Sequence, residues 1–128
     1  MNRYILYTHT AIWFFNGDDS LSETAKKTIL NTANIKYLSI ASAWELAVKI
    51  GIGKLEFDGK SAGFVRLAEN NGFIILPIKV NHLTTLETLP MHHRDPFDRL
   101  LIATAIAEQM TIITVDENTP KYEVSQIW

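Results

Sequence analysis

Residues 89–103 read Leu89-Pro90-Met91-His92-His93-Arg94-Asp95-Pro96-Phe97-Asp98-Arg99-Leu100-Leu101-Ile102-Ala103. Asp95 followed by Pro96 opens a helix: a side-chain oxygen caps the free N–H groups, and proline suits the first helical position. From Phe97 to Ala107 that helix is apolar on most of its circumference, which demands burial between other layers. It should run to about Gln109. The β-branched run that follows, residues 111–115, reads as a strand.

Working outward, helices and strands keep alternating. Residues 3–7 read as a first strand, and the apolar run 10–15 as a helix before the Asn16-Gly17-Asp18-Asp19 loop. Ser20 with Glu23 has the spacing of a capping box for a helix to about Ala33. Residues 36–40 read as a second strand. Ser42 with Glu45 gives a second capping box for a helix over 42–50, stopped by Gly51 and Gly53. Helix 62–69 ends at Asn70-Asn71-Gly72, strand 73–76 at Pro77, and helix 81–88 before Pro90. Residues 124–127 read as a short edge strand. This alternation predicts an α/β sandwich with a mainly parallel sheet.

The chain has 128 residues, suited to a single domain over 1–128, with 47% hydrophobic and 20% charged residues. Such usage argues against disorder. There is no cysteine, so disulfides, thiolate metal sites and cysteine nucleophiles are excluded. No apolar run is long enough to span a membrane, and the N-terminus lacks a signal-peptide pattern, so a cytoplasmic location is expected. The net charge of −2 is unlike that of a protein that coats nucleic acid through phosphate contacts. An enzyme meeting nucleic acid through metal ions and a few local cations is still compatible with it.

Ligands of open parallel sheets gather beyond the carboxyl ends of the strands. Tyr7, Glu45, Asp98 and Asp116 should meet there. Carboxylates about 5 Å apart at an effective dielectric near 20 repel by roughly 3 kcal/mol per pair, so such a cluster makes sense around Mg²⁺ or Mn²⁺. Each acid alone also has a structural reading. Glu45 completes the Ser42 capping box, Asp95 and Asp98 suit the first turn of a helix, and Asp116 suits a turn. Lys49, Lys54, Arg94 and Arg99 are candidate phosphate contacts, against solvated surface positions. Adjacent His92 and His93 diverge, which argues against a shared metal. Trp13, Trp44 and Trp128 read as core or interface anchors.

Five segments carry a resemblance: Thr8-His9-Thr10-Ala11-Ile12-Trp13, Ser42-Ala43-Trp44-Glu45-Leu46-Ala47-Val48-Lys49, Gly53-Lys54-Leu55, residues 89–103, and Thr114-Val115-Asp116. In this order, from about residue 4 to 128, the chain resembles PIN-domain toxins of the VapC type, found in type II toxin–antitoxin systems. The resemblance implies a PIN-like three-layer sandwich, its sheet flanked by helices. It also implies a metal-dependent endoribonuclease using Mg²⁺ or Mn²⁺ on an RNA substrate, a cognate antitoxin and a homodimer. The acidic site carried over is Glu45, Asp98 and Asp116, with Asp95 as a helper.

One position departs from the pattern. Before Thr8-His9-Thr10 the family has Asp, and this chain has Tyr7. A phenol with a pKa near 10 gives a hard cation no anionic oxygen at neutral pH. The expectation is weakened metal binding and cleavage on a retained fold. The alternative is a catalytically inactive PIN-fold protein that acts by binding an antitoxin or RNA.

Overall fold

The computed structural model describes residues 2–128. Five strands, β1 (Arg3–Leu6), β2 (Ile35–Ser39), β3 (Ile74–Leu76), β4 (Thr111–Ile113) and β5 (Gln126–Ile127), form one sheet in the order β3-β2-β1-β4-β5. Each neighbouring pair is parallel, with Tyr4 of β1 facing Lys36 of β2 and Thr111 of β4. Parallel neighbours need crossovers, and these carry the helices α1 (Thr8–Asn16), α2 (Glu23–Leu30), α3 (Ile40–Gly51), α4 (Lys60–Asn70), α5 (Val80–Glu87) and α6 (Pro96–Glu108).

The two-residue period of the strands divides the core. Leu6, Leu38 and Ile113 join Ala11, Ile29, Leu46 and Phe64 on one face. Ile5 and Ile112 join Leu101, Ile102 and Ala105 of α6 on the other. The result is the expected three-layer α/β sandwich. Helix α6 is buried without interruption from Arg99 to Ala105, as its apolar circumference requires.

Local boundaries differ from the sequence reading where hydroxyl side chains offered two choices of cap. Strand β1 stops at Leu6, and Tyr7 becomes the extended N-cap of α1, its carbonyl accepting from Ala11 N at 3.1 Å. Helix α2 is capped by Ser22, which accepts from Ala25 N at 3.0 Å, while Ser20 N donates to Asp18 Oδ1. It ends at Leu30 because Asn31 folds back to accept from Ala33 N. Helix α3 springs directly from β2, with Ser39 as its cap. Ser42 therefore lies inside the helix, and Ser42 and Glu45 form no capping box. In the turn before α4, Gly59 has φ +81°, and a Cβ there would stand 2.9 Å from Gly63 Cα. Only glycine tolerates both conditions at once.

Glu108 at the end of α6 ties three elements together. His82 of α5 is fully buried, its Nδ1 accepts from Lys79 N at 3.1 Å, and its Nε2 lies 2.8 Å from Glu108 Oε2. An acceptor at Nδ1 puts the proton of the neutral ring on Nε2, which donates to Glu108. Arg3 of β1 donates to the Glu108 carbonyl at 2.7 Å. The His82 hydrogen bond, with help from Lys79, holds the Glu108 carboxyl below its usual range. A depressed acid contributes stability above its unfolded pKa and loses it as pH falls through the folded value. Glu108→Gln should therefore cost about 1 kcal/mol at pH 7, with the difference shrinking in acid. Urea denaturation at the two pH values checks this, and a pH-independent difference would refute it.

Candidate active site

In the strand order β3-β2-β1-β4-β5 the chain leaves β1 toward one edge and returns through β4 toward the other. The crevice beyond the carboxyl ends of β1 and β4 is thus the topological switch point, where open sheets bind ligands. Tyr7 leaves β1 and Asp116 follows β4 at this crevice. Thr114 is fully buried and its Oγ1 accepts from Asp116 N at 3.0 Å, fixing the turn that presents the acid. Asp98 comes from the first turn of α6, and Glu45 from the second turn of α3.

These acids are unequally compensated. Glu45 is 5% exposed. Its Oε1 accepts from Thr8 Oγ1 at 2.7 Å and its Oε2 pairs with Lys49 Nζ at 2.5 Å. Thr8 in turn lies 3.0 Å from Ser42 Oγ, so the two hydroxyls position the carboxylate. Asp98 has no such partner. One oxygen each of Asp98 and Asp116 and a ring nitrogen of His93 lie within 4.8 Å of one another. Burial first, and then the charges of Asp95, Glu45 and Asp116, push the Asp98 carboxyl up to about 7. Those causes outweigh Lys49 and the favourable position at a helix N-terminus.

Tyr7 fills the remaining corner. It is 1% exposed, and its hydroxyl lies 3.4 Å from both Asp116 Oδ2 and Thr119 Oγ1. Both separations exceed those of good O–H···O bonds. Burial raises the phenol well above its ordinary value, and the anions of Asp98 and Asp116 push the same way. Tyr7 is therefore neutral and supplies no charge to the site. Its ring packs edge-on against His9 at 5.4 Å, and His9 leads on to Trp13 at 4.8 Å.

The other sequence candidates divide sharply. Asp95 caps α6, with Oδ1 accepting from Phe97 N and Asp98 N, and adds negative charge beside Asp98. Arg99 is corrected as a phosphate contact. It is 8% exposed and its guanidinium donates to Pro90 O, Leu89 O and Tyr122 Oη, which leaves it holding a loop together. Lys54 and Arg94 are exposed. Trp13 and Trp128 pack together at 5.8 Å, whereas Trp44 is 51% exposed over Phe97.

Sequence reasoning missed Thr8, His9 and His93. Adjacency to His92 argued against ligation, but both rings lie against Tyr122, and the His93 Nε2 comes to 3.9 Å from Asp98 Oδ2. No local signal reveals this, because the contact depends on a residue 29 positions away.

The donor set of carboxylate oxygens, with Asp98 raised by burial and by the acids around it, fits a hard divalent ion. The matching family model is that of the PIN domain, over residues 4–124. Two solved structures cover nearly the whole chain at 18% identity. They are VapBC2 from Rickettsia felis bound to a DNA fragment from their promoter, with TM-score 0.73 and 98% of each chain covered, and FitAcB from Neisseria gonorrhoeae. For FitAcB the TM-score is 0.60, over 98% of this chain and 96% of that one. At that identity the likeness establishes the fold. No curated protein sequence matches the chain.

An acid raised in the folded state contributes stability that is fully present below its unfolded pKa and is lost as pH rises through its folded value. For Asp98 the loss accumulates between its ordinary value of 3.8 and its folded value of about 7, and is complete above that. In chelator, Asp98→Asn should therefore raise Tm at pH 8 by on the order of 5 °C, and the gain should fade toward pH 4. Melting curves across that range test it. An equal shift at both ends would mean that burial and the neighbouring charges do not raise the Asp98 carboxyl.

Proposed function

The chain belongs to the PIN-domain family, and from that premise we propose that it is a divalent-metal-dependent endoribonuclease of the VapC toxin type, impaired by Tyr7. PIN domains are generally nucleases. The observation that carries the reading is the raised, uncompensated Asp98 beside Asp116 at the sheet's switch point.

Asp98 and Asp116 would hold Mg²⁺ or Mn²⁺, with Glu45 beside them and Asp95 adding charge. When bound, the ion supplies Lewis-acid polarisation of a phosphate and a water of lowered pKa. Asp98 gives up its proton on loading, because a carboxyl near 7 exchanges a proton for a cation at neutral pH. Lys49 and Thr8 hold Glu45 in place, and the exposed Lys54 and Arg94 are free to meet RNA phosphates. Tyr7 places a neutral ring where the family pattern has a carboxylate.

Partner surfaces support the same reading. Helix α3 and its C-cap expose Ile40, Trp44, Val48 and Ile52, which at four-residue spacing form one stripe, a surface that a protein partner would cover. The structural neighbours are toxin–antitoxin complexes, in accord with a cognate antitoxin. A homodimer and a cytoplasmic setting complete the proposal. Among the described residues no helix is long and apolar enough to cross a membrane. Tyr7 itself favours a second reading, a PIN-fold protein that binds an antitoxin or RNA without cleaving.

Cleavage of a broad RNA set by the parent and by Tyr7→Asp, with Mn²⁺ and with chelator, tests the proposal. Metal-dependent cleavage should be strong in the Asp protein and weak or absent in the parent. No cleavage by either favours the binding-only reading. In chelator, Tyr7→Asp should lose about 3 kcal/mol or more, from a vacated core site and an added like charge. Excess Mn²⁺ should recover part of that loss.

A further inference from the structure

His93 is a half-buried group at the site, its Nε2 buried, that the reading above leaves without a task. We propose that it is a positioning residue for Asp98, held by Tyr122 as an N–H donor and not presented as a metal ligand. The inference rests on the reading of Asp98 as a metal-binding acid.

The argument is one of proton placement. His93 Nδ1 lies 2.7 Å from Tyr122 Oη. That oxygen already faces Arg99 Nη1 and the backbone N–H of His92, both at 3.3 Å. Guanidinium and amide groups can only donate, so they take the lone pairs of the phenol oxygen. The proton of Tyr122 is then what remains to bridge to His93, and it is given to Nδ1. With Nδ1 an acceptor, the neutral ring carries its hydrogen on Nε2.

That Nε2 is buried without a hydrogen-bond partner, and it stands 3.9 Å from Asp98 Oδ2. A bridging water would need a gap of roughly 4.6 Å to accept from one group and donate to the other. A closure of about 1 Å instead makes a direct N–H···O bond. Such a bond would fix one oxygen of Asp98 and leave the other free for an ion, the way outer partners orient ligating carboxylates. Ligation by Nε2 would need the ring proton on Nδ1, aimed at an oxygen that already receives two donors. The chain Arg99–Tyr122–His93 opposes that tautomer.

The tautomer can be read without metal. A long-range ¹H–¹⁵N imidazole spectrum of the parent in chelator should show His93 protonated on Nε2, with Nδ1 as the acceptor. Calorimetric titration with Mn²⁺ should show about tenfold weaker binding in His93→Ala and in Tyr122→Phe, with His93→Gln recovering most of the loss by restoring an N–H donor. A proton on Nδ1 overturns the assignment. So does a Tyr122→Phe protein that binds Mn²⁺ as tightly as the parent or more so, because freeing the tautomer helps a ligand and harms a donor. A parent that binds no Mn²⁺ at all would overturn the metal reading of the site, while the imidazole spectrum still decides the tautomer.

Discussion

Negative charge held together without enough positive charge is the constraint on which this structure turns. Asp98 and Asp116 come within 4.8 Å at the ends of α6 and β4, a separation at which two anions repel by about 3 kcal/mol at an effective dielectric near 20. Lys49 is committed to Glu45, and Arg99 to the loop before α6. The sandwich tolerates the repulsion because the elements that bear these acids are anchored elsewhere. Helix α6 packs against α5 and β4, β4 is paired on both sides by β1 and β5, and α3 packs against both α4 and α6. The acids cannot move apart without unpacking the core, and burial, reinforced by the neighbouring charges, pushes the Asp98 carboxyl to about 7.

Tyr7 changes the balance of that site without disturbing its frame. Its ring is absorbed into the core face formed with Ile5, Leu101 and Ile112, and its neutral hydroxyl sits close to Asp116. A carboxylate there would add to the repulsion and strengthen the demand for a cation. On the proposed metal-site reading, the phenol avoids part of that electrostatic cost and offers one anionic ligand fewer.

Features set by a repeating pattern were legible in the sequence. The cap at Asp95, Pro96 at the first position and the apolar circumference of α6 announced a buried helix, and the helix–strand alternation announced the parallel sandwich. Glu45 and Asp116 could be placed at one end of the sheet because each lies just after a strand, and Asp98 because it opens the long buried helix. What failed depended on choices between near-equivalent side chains or on distant partners. Ser20 against Ser22 and Ser42 against Ser39 offer similar caps, and the geometry of the preceding strand or turn decides between them. Arg99 looked like a free cation because nothing local shows that Leu89, Pro90 and Tyr122 surround it. His93 looked idle because its acceptor and donor partners come from opposite ends of the 93–122 segment.

Anomalous diffraction from a Mn²⁺-soaked crystal of the Tyr7→Asp protein would test the central claim most directly. The account predicts a Mn²⁺ peak bound by Asp98 and Asp116 at the carboxyl end of β1 and β4. An empty crevice at saturating Mn²⁺, with the ion bound elsewhere or not at all, would contradict it.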